Sequence, residues 1–233
     1  MDNWRAEFER VLDNELIPQF CADPGRQCDK SRFRRESIRV AEIDARDFVR
    51  AWRGGLIKHQ QRGLYRAPKS AASEQFFWTG PKLPVPRSFT LWLEPIITVA
   101  SLARLHWDFG WPADLIGTQS SDWAFDLVGF RSGSENEYLA GEVKKSAAEI
   151  DQLVEFMRQF GRDPSIGVPT SPKACNAYRK LAALRARRAP IFWAIGPGGI
   201  SRPYRVEYAP EAMVNLVPAD EDVLRFELND APT

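Results

Sequence analysis

Two neighbouring stretches, 123–130 (WAFDLVGF) and 138–146 (YLAGEVKKS), have the aromatic and β-branched make-up of strands, yet each carries ionisable groups that a buried strand excludes. Asp126 sits among Phe125, Leu127, Val128 and Phe130. Glu142 and Lys144 flank Val143 two positions apart, so both project from one face of an extended chain. Withdrawing a carboxylate or an ammonium from water costs several kcal/mol unless a partner or a cation compensates it. A fold that accepts these strands must bring their charges together, and divalent-cation chemistry on a phosphodiester is the leading reason to do so.

The chain of 233 residues, 44% apolar with eight tryptophans, can bury a real core as one large domain or as a core with an elaborated N-terminal part. It holds no run of roughly eighteen apolar residues, so hydropathy indicates no membrane span. The opening MDNWRAEFERVLDNEL is an acidic amphipathic pattern, unlike a signal or transit peptide, and a cytoplasmic setting is expected. The three cysteines Cys21, Cys28 and Cys175 cannot form a closed set of disulfides, as suits a reducing compartment. A zinc site from Cys21, Cys28 and His59 competes with free thiols, and the seven-residue spacing of the two cysteines favours the thiols.

A formal net charge of +1 conceals a strong asymmetry. Residues 26–69 hold thirteen Lys and Arg against five Asp and Glu, and 173–188 (KACNAYRKLAALRARR) hold six basic residues and no acid. Charge separated this way in a near-neutral chain suggests a local polyanion-binding face, with solvated helix faces as the plainer reading. Arg32, Arg34 and Arg35 in the first segment, and Arg185, Arg187 and Arg188 in the second, are the candidate nucleic-acid contacts, DNA before RNA.

Along the chain, a first helix is expected over 2–17, stopping at Pro18, followed by a mainly helical basic stretch broken at Gly54-Gly55. Residues 66–89 carry little regular signal and include the stiff PKLPVP (81–86), which sets an expected boundary between a mainly helical N-terminal part (1–87) and a core (88–233). Glu94-Pro95 opens a largely apolar helix. Strands are expected over 112–119, 123–130 and 138–145, then an amphipathic helix over 147–160, the basic helix over 173–188, and strands over 191–195 and 204–208. The tail adds short apolar pieces at 212–217 and VLRFEL. This order predicts an α/β (α+β mixed) sheet flanked by helices.

Asp126 on the second strand, Glu142-Val143-Lys144 on the third and Glu94 on the preceding helix make the chain resemble the PD-(D/E)xK, or restriction-endonuclease-like, nucleases over 94–195. Phe125 stands where the named pattern has proline. The resemblance implies a restriction-endonuclease-like core and an Mg²⁺-dependent endonuclease, with Mn²⁺ as an alternative ion, in phage defence or mobile-element processing. Asp126, Glu142 and the Val143 carbonyl would be the metal ligands, and Glu94 would hold a second metal or act through a water. Hard oxygen donors suit Mg²⁺, and Lys144 could orient or deprotonate the attacking water or stabilise charge on the phosphate. Gln152 is similar to the glutamine of the Q-L-x-x-Y element in RecB-type members, while Lys145 and Ser146 lead into a helix start, where capping competes with phosphate binding. A chain of this size that cuts is expected to act as a homodimer or with a targeting or ATPase partner. The competing reading is a catalytically inactive or partner-activated nucleic-acid-binding subunit on the same fold.

Overall fold

The computed structural model describes residues 3–226 of the chain. Its elements are α1 (Trp4–Val11), α2 (Ile17–Cys21), β1 (Cys28–Phe33), α3 (Glu42–Arg53), β2 (Lys58–His59), β3 (Leu64–Arg66), β4 (Glu74–Gln75), β5 (Phe77–Thr79), β6 (Arg87–Leu91), α4 (Leu93–Ala103), β7 (Ile116–Thr118), β8 (Leu127–Phe130), β9 (Glu137–Val143), α5 (Ala147–Arg162), α6 (Pro172–Arg187), β10 (Ile191–Ile195), β11 (Ser201–Tyr208) and β12 (Val214–Pro218). The protein is a mixed α/β structure with three sheets: a six-stranded one in the order β12-β11-β10-β9-β8-β7, and two of three strands, β1-β6-β5 and β2-β3-β4. No helix among the described residues is long and apolar enough to cross a membrane.

The six-stranded sheet is antiparallel except where β10 runs parallel to β9, Ile191 opposite Leu139 and Ile195 opposite Val143. Parallel neighbours need a crossover, and α5 and α6 supply it. Strand alternation divides the core in two. Leu139 and Val143 face a cluster that includes Ile96, Val99, Trp193 and Ile195, whereas Ala140 faces Ile150, Leu153, Phe192 and Ala194 on the α5–α6 side. With both faces covered, β9 is buried along nearly its whole length, and Glu142 retains only 2% of its exposure. The first cluster also takes in Phe8, Phe20, Phe48, Phe77 and Phe89, so the segment before residue 88 shares its core with the sheet rather than closing one of its own.

The N-terminal part carries the expected helices over 4–21 and 42–53, but also strands that the sequence does not predict. Residues 28–33 form a strand that pairs in parallel with β6, Cys28 opposite Arg87 and Phe33 opposite Phe89, and short strands continue through 58–91. Phe77 and Phe89 pack tilted against Phe20 and take Phe33 edge-on or tilted, and this aromatic contact across distant segments outweighs local helical periodicity. Nor does Pro18 end the first helix. A π-helical turn at Leu12–Leu16 lets the Ile17 amide bond to the Leu12 carbonyl, and Pro18 then falls in the first turn of α2, where its missing N–H costs little. Asp2, the expected helix start, lies outside the described residues, as do the last two residues of VLRFEL. In the tail, the short apolar piece at 212–217 forms most of β12. The strands expected at 112–119 and 123–130 shorten to β7 and β8 because 113–115 form a 3₁₀ turn and 120–125 form a tight polar turn. In that turn Asp122 accepts from the Ser120 hydroxyl and the Ala124 amide, and the Ser120 hydroxyl accepts from the Phe125 amide. The apolar helix α4, the amphipathic α5, the basic α6 and the strand β10 form as the sequence predicts.

Candidate active site

Asp126 stands at the entry of β8. Its amide donates to the Gly141 carbonyl and its carbonyl accepts from Gln119, so it holds a ladder position although β8 proper begins at Leu127. The bonds of its amide to Gly141 and of its carboxyl to the Val143 amide, on either side of Glu142, set Asp126 beside β9. The Asp126 Oδ2 accepts the Val143 amide at 2.9 Å. A strand residue turns its N–H and C=O to the same side, so the Val143 carbonyl points to the same edge as the Asp126 carboxyl. Two carboxyl groups and a carbonyl thus share one sheet edge.

Glu142 is held by two lysines. Lys144 donates to its Oε1 at 2.5 Å, as expected for side chains two apart on one strand, and Lys180 of α6 donates to its Oε2 at 2.5 Å. Lys180 also donates to the Ala124 carbonyl, which ties α6 to the turn that delivers Asp126. Withdrawal from water and the nearby Glu142 together push the Asp126 carboxyl up to about 8, against the pull of Lys180, Lys144 and the Val143 amide. Desolvation lowers Lys144, but Glu142, Asp126 and Glu94 outweigh it and hold the ammonium above its ordinary value. Lys180 was missed in the sequence. Its signal is a lysine inside the apolar stripe Ala177, Leu181, Leu184 of a helix, where a solvated lysine has no place.

A cleft of about 210 Å³ opens beside Lys144 and is lined also by Glu94, Glu149, Gln152, Phe156 and Lys173. Gln152 accepts from the Lys173 ammonium at 2.8 Å. Ser146 caps α5 by accepting from the Glu149 amide, and Lys145 lies 3.6 Å from Glu149 at the rim. Glu94 faces this cleft from the first turn of α4, but its Oε2 is bonded to the Trp92 indole N–H at 3.1 Å. Among the described residues no three His, Cys, Asp or Glu side chains gather in a metal-holding group, so Glu94 does not share one cluster with Asp126 and Glu142.

The basic candidates separate. Arg34 is exposed and its amide donates to the Phe89 carbonyl of β6, while Arg35 is paired with Asp13 and Glu9, and Arg32 turns to the Pro86 carbonyl. Arg185 bonds the Phe160 and Ala212 carbonyls, Arg187 bonds Glu137 and Asp122, and Arg188 lies over the Tyr208 ring. These three fasten α6 to its surroundings, because the helix end is where long side chains reach neighbouring carbonyls and acids.

The donor set fits a hard divalent cation. Mg²⁺ takes only one or two carboxylates, and each carboxylate oxygen keeps lone pairs beyond the bond it accepts here. A carboxyl pair that repels in a desolvated setting is stabilised by a cation between its members. Comparison with protein-family models, with curated proteins and with solved structures returns no match for this chain.

Asp126→Asn separates stability from chemistry. The carboxyl ionises near 4 in the unfolded chain and about 8 in the folded one, so the folded state binds more protons between those values and stability falls as pH rises through that window. Asparagine removes that slope and can still accept the Val143 amide. In EDTA, urea unfolding should show D126N more stable than wild type by about 1–3 kcal/mol at pH 8, with the gap closing toward pH 5. A gap that is constant with pH would contradict the assignment.

Proposed function

We propose that this protein is a metal-dependent nuclease that hydrolyses phosphodiester bonds, with DNA as its substrate and an endonucleolytic cut. The observation that carries the reading is the Asp126–Glu142 pair on one sheet edge with the Val143 carbonyl, faced by Lys144 at the mouth of a cleft. The element order lends further support. Helix α4, the meander β7-β8-β9, two helices and a strand parallel to β9 match the arrangement that the PD-(D/E)xK resemblance implies, with the acids at the entry of the second strand and on the third.

Asp126 and Glu142, with the Val143 carbonyl, would hold Mg²⁺ or Mn²⁺, and the bound ion would activate water and neutralise charge on the phosphate. Lys144 then acts as a fixed cation. Its ammonium is held above its ordinary value, so it keeps its proton at neutral pH and stabilises developing negative charge instead of accepting a proton. Gln152 and Lys173 line the cleft wall beside it, and Lys145 at the rim is placed to meet a neighbouring phosphate.

The full-length chain should cut plasmid, linear or single-stranded DNA when Mg²⁺ or Mn²⁺ is present and stop in EDTA. RNA tested in parallel should be cut poorly. No cation-dependent cutting of any of these substrates would sink the reading.

A further inference from the structure

A second groove, of about 870 Å³, meets the first cleft at Glu94, which lines both. Its volume lies within the roughly 300–1,000 Å³ that ligand-sized clefts occupy. Two tryptophans form its wall. Trp78 on β5 is 63% exposed and Trp92, just before α4, is 38% exposed. Their ring centroids lie 5.7 Å apart at 82°, so the two indoles meet edge to face and a ring face stays open to solvent. The bond from the Trp92 indole to Glu94 fixes one ring against the catalytic cleft. Large aromatic side chains left in water forgo the burial that makes them favourable, and two side by side in a groove mark a contact surface.

The charges around them are those of a phosphate track. Arg34, Arg39 and Lys145 line the groove, and Glu36 is the one acid there besides Glu94. The segment bearing both arginines is fastened to β6, since the Arg34 amide donates to the Phe89 carbonyl and the Leu91 amide donates to the Ser37 hydroxyl. Cations that follow a backbone beside aromatic faces that stack bases are the two parts of a single-strand binding site. A continuous duplex hides its base faces in its own stack and cannot use the indoles.

We propose that the Trp78–Trp92 groove holds an unpaired stretch of DNA that leads into the Lys144 cleft, so the preferred substrate carries a single-stranded arm, gap or end. The inference rests on the nuclease reading and names the substrate class for that site.

Binding in EDTA, by fluorescence anisotropy on the full chain, tests it without cleavage. The probes are a single-stranded DNA oligonucleotide, a blunt duplex, the same duplex with an unpaired arm, and single-stranded RNA. Trp78→Ala should weaken the single strand and the armed duplex by about tenfold and the blunt duplex by less than about twofold. Trp78→Phe, which keeps a stacking face, should restore most of the loss. Arg34→Ala should weaken the single strand and the armed duplex more than the blunt duplex and lower their salt slope by about one contact. Equal losses on all DNA probes with Trp78→Ala, or none, would overturn the proposal, and so would tighter, Trp78-dependent binding of RNA. Cleavage in Mg²⁺ is read separately. Cutting by wild type with no Trp78 effect removes the groove alone, whereas Trp78-dependent binding without any cutting removes the nuclease reading and leaves the groove.

Discussion

Lys144→Ala is expected to lower cation-dependent DNA cleavage by at least about 100-fold, the scale seen when a positioned acid–base or charge-stabilising group is removed. Folding should survive. Lys144 retains 17% side-chain exposure and bonds Glu142 through Oε1 only, so Glu142 keeps Lys180 on Oε2 after the change. Substrate binding in EDTA should change by a few-fold at most, since one cation among several contacts is lost. The measurement is kcat and KM on one substrate, with circular dichroism and urea unfolding of both proteins. A loss confined to KM would recast Lys144 as a phosphate anchor, and wild-type cutting by the variant would remove it from the chemistry. The adjacent Lys145, exposed at the rim, is the control: its alanine variant should alter salt dependence more than turnover.

Lys180→Met is expected to produce the largest stability loss, about 3–5 kcal/mol, because it strands a partner charge in the interior. The side chain is 6% exposed and donates at 2.5 Å both to Glu142 and to the Ala124 carbonyl. Methionine fills much of the space but offers neither bond. Glu142 then keeps a single lysine while 2% exposed, and the Ala124 carbonyl loses its donor. Set against the 5–15 kcal/mol typical of a whole domain, a loss of about 3–5 kcal/mol is severe. Glu142→Gln alone should also destabilise, and the double variant should cost less than the sum, since a neutral side chain removes the charge that Lys180 compensates. Urea unfolding of the four proteins measures the coupling directly. A Lys180→Met loss below about 1 kcal/mol, or strict additivity, would show that the lysine does not hold Glu142. Cutting should fall too, because the Ala124 bond anchors the turn that delivers Asp126 to β9.

The part of the site that was legible in the sequence is the part made by one strand and its neighbour. Alternation along 138–145 put Glu142 and Lys144 on one face, and an aspartate in apolar company flagged Asp126. The helices α4, α5 and α6 were legible for the same reason, because apolar spacing within a single segment reports its own buried face. What stayed hidden depends on contacts between distant segments. Residues 31–33 read as the start of a helical stretch until the pairing with β6, more than fifty positions on, makes them the end of a strand. The C-terminal arginines of α6 read as a basic face until Glu137, Asp122 and nearby carbonyls engage them.

The sequence by itself therefore determined which strands must carry charge into the core and that an unusual compensation was required there. Only the tertiary structure decided how the compensation is made: by Lys180 from α6 as well as Lys144, with Glu94 drawn off to Trp92 and two exposed tryptophans set beside the cleft. The reason is physical. Periodicity is a property of one segment and survives in the sequence, whereas the partner of a buried charge is chosen by which segments the packed core brings within hydrogen-bonding distance, and no local pattern encodes that choice.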